Sequence, residues 1–80
     1  MSNARQTSGN VAAYIVAYLR QRPLAADSAR GIARWWCSGL VPSPTLAMVE
    51  AALRALEAEG RVVQVVMADG TAVWRAGPRL

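Results

Sequence analysis

The sequence predicts a mainly α domain with a small β-hairpin: three helices, then two antiparallel strands. Two observations carry this. Apolar residues recur at i, i+3, i+4 and i+7 in three segments that are bounded by capping residues, glycine or proline, which marks amphipathic helices. After Gly60 the pattern changes to two β-rich runs, "RVVQVVMA" and "TAVWRA", joined by Asp69-Gly70, a preferred pair for a two-residue type I′ turn.

Each element has its own signals. Residues 1–9 are small and polar and read as a disordered tail. Helix 1 is expected from the N-cap candidate Asn10, with Val11, Tyr14, Ile15, Tyr18 and Leu19 as its buried stripe. Pro23 stops it, because the residue before a proline is pushed out of the α region. Helix 2 is expected from Asp27 or Ser28 to Gly39, with Ala29, Ile32, Ala33 and Trp36 inward. Gly31 weakens this helix by roughly 1 kcal/mol relative to alanine. It also lets a neighbouring helix approach. Helix 3 is expected to be capped by Ser43, with Pro44 at the first helical position and Leu46, Val49, Ala52, Leu53 and Leu56 inward. The strands are expected over Val62 to Met67 and Thr71 to Ala76, with a domain spanning 10–77 and a short tail at 78–80.

Composition narrows the function. Eighty residues bury only roughly 60% of the unfolded surface, so the chain needs a dense core or a partner. The hydrophobic fraction of 54%, above the usual ~45–50%, supplies that core and leaves apolar surface for an interface. The net charge is +4 and every basic residue is arginine, a balance that favours anionic partners. One cysteine and no histidine exclude an internal disulfide and a Cys/His zinc site, and point to an intracellular, cytoplasmic protein. The apolar run Val11 to Leu19 is far short of the ~20 residues that cross a bilayer. No phosphate loop, nucleophile elbow or carboxylate cluster stands out, so neither catalysis nor a cofactor is expected.

The stretches "PLAADSARGIARWW", "ALRALEAEGRVV" and "MADGTAVWRA" resemble the winged helix-turn-helix superfamily, over nearly the whole chain from Asn10 to Ala76. The join "LRALEAEGRV" is the most specific part. The resemblance implies that helix 3 lies at the major groove and that the wing touches the neighbouring phosphates. Carried over, the reading positions are Thr45, Leu46, Ala47, Met48, Glu50, Ala51 and Arg54, and the wing positions are Ala68 to Thr71 and Arg75. Base readout needs donors and acceptors at base edges, and most of these positions are apolar. The wing tip carries Asp69 rather than a cation. Small winged-helix accessory proteins of ferrous iron transport are similar in length. They carry cysteines in the wing, which "MADGTAV" lacks.

Two functions follow as expectations. The first is a DNA-binding protein, a transcriptional regulator or accessory module, acting as a homodimer or within a larger regulator. It would use Arg30, Arg34, Thr45, Met48, Arg54 and Arg75 on double-stranded DNA, with phosphate and shape contacts dominating. Alternatively these arginines form a solvated face, paired as Asp27–Arg30 and Glu50–Arg54. The second function is a protein-interaction module docking through Trp35, Leu46, Ala47, Met48 and Ala51. Trp36 fits the inward stripe of helix 2. Adjacent helical side chains diverge by about 100°, so Trp35 is expected at least partly exposed, as an interface anchor or at the core edge. Cys37 is expected to be a small buried hydrophobe.

Overall fold

In the computed structural model the chain is described from residue 3 to residue 80, with side chains from residue 10 onward. The elements run α1 (Asn3–Gln21), β1 (Ala26–Asp27), α2 (Ala29–Gly31) continuing into a π-helical turn (Ile32–Trp36), α3 (Leu46–Ala58), β2 (Val62–Val66) and β3 (Ala72–Ala76). The fold is a small α+β domain with a three-stranded antiparallel sheet ordered β1-β3-β2.

The two-stranded hairpin expected from sequence is thus corrected to three strands. Ala26 pairs with Arg75 and Asp27 with Trp74, on the edge of β3 that β2 leaves free. A two-residue strand has too little length to show a period of two, so only tertiary pairing makes it a strand.

The helices also depart from expectation in detail. Helix α1 begins at Asn3, before the expected start at Asn10; Gly9 weakens a helix without stopping it. Of the tail expected over 1–9, residues 1–2 lie outside the described residues. Ser28, not Asp27, caps α2 by accepting from the Gly31 N–H at 3.1 Å, while the Asp27 carboxylate accepts from the Ser28 N–H at 2.7 Å. Gly31 is needed for a different approach than the one expected: a Cβ there would collide with the Asp27 side chain. Thr45, not Ser43, caps α3 by accepting from the Met48 N–H at 3.1 Å. Helix α3 closes at Gly60 (φ +75°), with Gly60 N–H donating to Glu57 C=O and Arg61 N–H to Leu56 C=O. That is the double closure of a Schellman motif.

The hairpin turn is a three-residue loop, not the expected two-residue type I′ turn. Type I′ needs positive φ at both central residues, but of Asp69 and Gly70 only Gly70 has it, at +87°. Met67 N–H donates to Thr71 C=O at 2.7 Å and Gly70 N–H to Met67 C=O at 2.9 Å, leaving Ala68, Asp69 and Gly70 as the loop.

The core lies between α1, the π turn, α3 and the inner face of the sheet. It holds Val11, Ile15, Val16 and Leu19; Ile32, Trp36 and Cys37; Val49, Ala52, Leu53 and Leu56; Val62 and Trp74. Val16 takes the buried place expected for Tyr14, which stands at the surface. After β3 the chain returns to the end of α3. Gly77 N–H donates to Arg61 C=O and Arg79 N–H to Gly60 C=O.

Candidate nucleic-acid interface

Helix α3 shows one face to solvent. Its buried positions are Val49, Ala52, Leu53 and Leu56, so the 3.6-residue period turns Ala47, Ala51 and Arg54 outward, and all three are exposed. Glu50 and Glu57 flank them. Leu46 and Met48 are half-buried rather than free, and the loop residue Pro44 before them is itself buried. Thr45 is exposed, with its hydroxyl oxygen engaged in the cap.

The arginines divide by location. Arg30 and Arg34 line one groove with Ala33, Ser43, Pro44 and Leu46, where α2 and its π turn meet the approach to α3. Arg54 stands on α3, and Arg75 on β3 opposite Ala26 and Val63. The expected pairs Asp27–Arg30 and Glu50–Arg54 do not form. Among the described residues the ion pair present is Arg61–Glu59, at 3.0 Å. Asp27 instead faces the Ser28 amide. Arg30, Arg34, Arg54 and Arg75 therefore carry unneutralised charge at the surface.

The hairpin tip, Ala68 to Thr71, contributes no cation. Asp69 Oδ1 accepts from the Thr71 N–H at 2.9 Å. That backbone bond, with the Thr71 side chain second, holds the Asp69 carboxyl below the usual aspartate range. Val66, beside it, is largely exposed and Met67 about half exposed. This makes the tip anionic and apolar.

Helix α1 and the π turn together carry an aromatic cluster whose members the sequence places only on separate helix stripes. Tyr18 and Trp36 stack with ring centroids 4.5 Å apart and planes 11° from parallel. The Arg22 guanidinium lies 4.6 Å from the Tyr18 centroid, and the Arg34 guanidinium 5.1 Å from that of Trp35. Trp36 is buried and Trp35 is 63% exposed. Trp35 therefore lines a groove with Tyr14, Tyr18 and Arg22, whereas Leu46 lines the groove of Arg30 and Arg34. The five residues expected to form one protein-docking face are thus distributed over two grooves and the outer face of α3. The hint available in the sequence was Arg22, one turn beyond Tyr18 on the same helical face.

Cys37 is fully buried, and burial pushes its thiol pKa up. No helix is long and apolar enough to cross a membrane among the described residues. No protein-family model matches the chain, and no curated protein or solved structure matches it.

Proposed function

We propose that this chain is a small DNA-binding module of the winged helix-turn-helix kind that holds duplex DNA through phosphates and groove shape. One observation carries the reading. Arg30 and Arg34 line a groove against the start of α3 with no carboxylate partner. In helix-turn-helix docking the first helix of the pair crosses the phosphate backbone while the second lies at the major groove. Arg54 on the outer face of α3 and Arg75 on β3 extend the positive set. The Ala47 and Ala51 surface lets the helix approach closely but supplies no donor for base edges. Sequence preference is accordingly expected to be weak.

The test is fluorescence anisotropy with a random-sequence duplex across a salt series. Affinity should fall steeply as salt rises, since phosphate neutralisation releases counterions. Replacing both Arg30 and Arg34 by alanine should flatten the logarithmic salt slope by about 2, one unit for each phosphate left unneutralised. Arg54→Ala should weaken binding to all sequences alike. Absence of duplex binding at low salt would sink the reading.

A second reading, a protein-docking module, is favoured by one observation: Ala47 and Ala51 are exposed on α3, and the neighbouring loop residue Val41 is 93% exposed. Under it, Ala51→Asp should abolish self-association or partner binding while circular dichroism stays unchanged. A light-scattering mass that does not respond to the substitution counts against it.

A further inference from the structure

The groove between α1 and the π turn has a chemistry that duplex binding does not use. Tyr14, Tyr18, Arg22, Trp35, Trp36 and Ser38 line it, around about 420 Å³ of space, and no Asp or Glu is among its lining residues. Tyr18 stacks on Trp36, and the Arg22 guanidinium carbon lies 4.6 Å from the same Tyr18 centroid. The stacked pair thus carries an exposed cation at its edge of the groove. Beside it Trp35, 63% exposed, offers a second plane, with Arg34 over its ring.

We propose that this groove binds single-stranded nucleic acid. Two features must be matched at once: the exposed Trp35 indole and two guanidinium groups, Arg22 and Arg34, without carboxylate partners. An acidic peptide neutralises the cations but brings nothing flat to lie on the indole. A proline-rich peptide covers the indole but leaves both cations unmatched. A nucleotide supplies a base for the plane and a phosphate for the charge, the pairing that single-strand binders use in sequence-tolerant recognition. A base stacks on Trp35, and the adjoining phosphates meet Arg22 and Arg34. The surface is distinct from the α3 face, and only Arg34 borders both grooves.

The experiment is anisotropy of labelled thymidylate and uridylate oligomers of about 15 nucleotides, near the upper end of common single-strand site sizes. The full chain at low salt is used. The two oligomers separate DNA from RNA as the source. At least one should bind and quench tryptophan fluorescence. Trp35→Ala should weaken that binding about tenfold or more, the usual loss for one stacked base, and remove much of the quench. Arg22→Gln should weaken it and flatten the salt slope by about 0.7, the single-strand value per phosphate. Trp35 is largely exposed, so its variant should keep the wild-type circular dichroism, and the duplex affinity of both variants should be unchanged. Binding of neither oligomer overturns the proposal, as does binding that both substitutions leave intact. A glutamate-rich peptide that displaces the oligomer and depends on Trp35 in the same way also overturns it. If duplex binds and the oligomers do not, this inference fails alone. If the oligomers bind and duplex does not, the duplex reading fails alone.

Discussion

Substituting Gly77 by alanine should be among the most damaging single-methyl additions in the chain. A Cβ there would sit 2.5 Å from the Gly60 carbonyl oxygen and 3.0 Å from Arg61 C and Val62 N. All three are backbone atoms, so no rotamer change relieves the clash. The end of β3 must move away from the end of α3. That movement strains Gly77 N–H to Arg61 C=O at 2.8 Å and Arg79 N–H to Gly60 C=O at 2.9 Å. Forced overpacking costs about 1–3 kcal/mol, and each strained hydrogen bond contributes about 0.5–1.5 kcal/mol. A loss of about 3 kcal/mol is therefore expected, against a total stability of roughly 4–12 kcal/mol for a chain of this size. With a urea slope of about 1 kcal/mol per molar, the unfolding midpoint should fall by about 3 M. Two controls isolate the cause. Gly70→Ala meets nothing within 4 Å and carries only the left-handed backbone penalty at φ +87°, about 1–2 kcal/mol. Gly60→Ala adds to that same penalty only a 3.1 Å approach to the flexible Arg79 side chain. The expected order of damage is Gly77, then Gly60, then Gly70. A Gly77→Ala midpoint no lower than that of Gly70→Ala would refute the close-approach argument.

Thr45→Ala removes the α3 cap and should cost about 1 kcal/mol, lowering Tm by roughly 4–8 °C. Ser43→Ala should leave Tm near wild type, and calorimetry separates the two. Asp69 has a lowered pKa, so its contribution to the hairpin tip is present above the ordinary aspartate value and is lost as pH falls through the lowered folded value. Amide exchange at Thr71, after correction for intrinsic rates, should accelerate in that acid window in wild type and be pH-independent there in Asp69→Asn. Cys37 has a raised pKa, so its contribution is fully present below the unfolded thiol value of about 8.5 and is lost as pH rises from there through the folded value. Urea midpoints should therefore decline in mild alkali, less so in Cys37→Ala. A thiol reagent at neutral pH should modify Cys37 only as fast as the chain unfolds.

Most of the helical core was legible because it rests on local periodicity. Val11, Ile15, Leu19, Ile32, Trp36, Val49, Ala52, Leu53 and Leu56 fall on stripes that can be read residue by residue, and all are buried. Strand β1 was not legible, because Ala26 and Asp27 become a strand only by meeting Arg75 and Trp74, some fifty residues on. Ser43 and Thr45 both satisfy the rules for a cap, and the choice between them depends on where Pro44 packs. The dipeptide Asp69-Gly70 signals a turn without stating its length. The outward positions Ala47, Ala51 and Arg54 could be read from the period of α3. The stacking of Arg22 on Tyr18 and of Tyr18 on Trp36 joins α1 to the π turn, and no periodicity reports a contact between elements.

The π turn at Ile32–Trp36 has a consequence for how this surface can change. Cys37 N–H donates to Ile32 C=O at 3.1 Å, five residues back, so the turn holds one residue more than an α-helix would. Deleting one residue within it would restore an ordinary helix and leave the segments on either side in phase, because the π turn is a single extra residue taken up in one turn. Ile32 and Trp36 would then stand three apart and still share a face, while the three positions between them, Ala33, Arg34 and Trp35, would be reduced to two. Length, rather than residue identity, thus sets how many side chains the turn presents at the surface. A one-codon deletion at this place is a route by which descendants of one such sequence could alter that surface while keeping α1, α3 and the sheet.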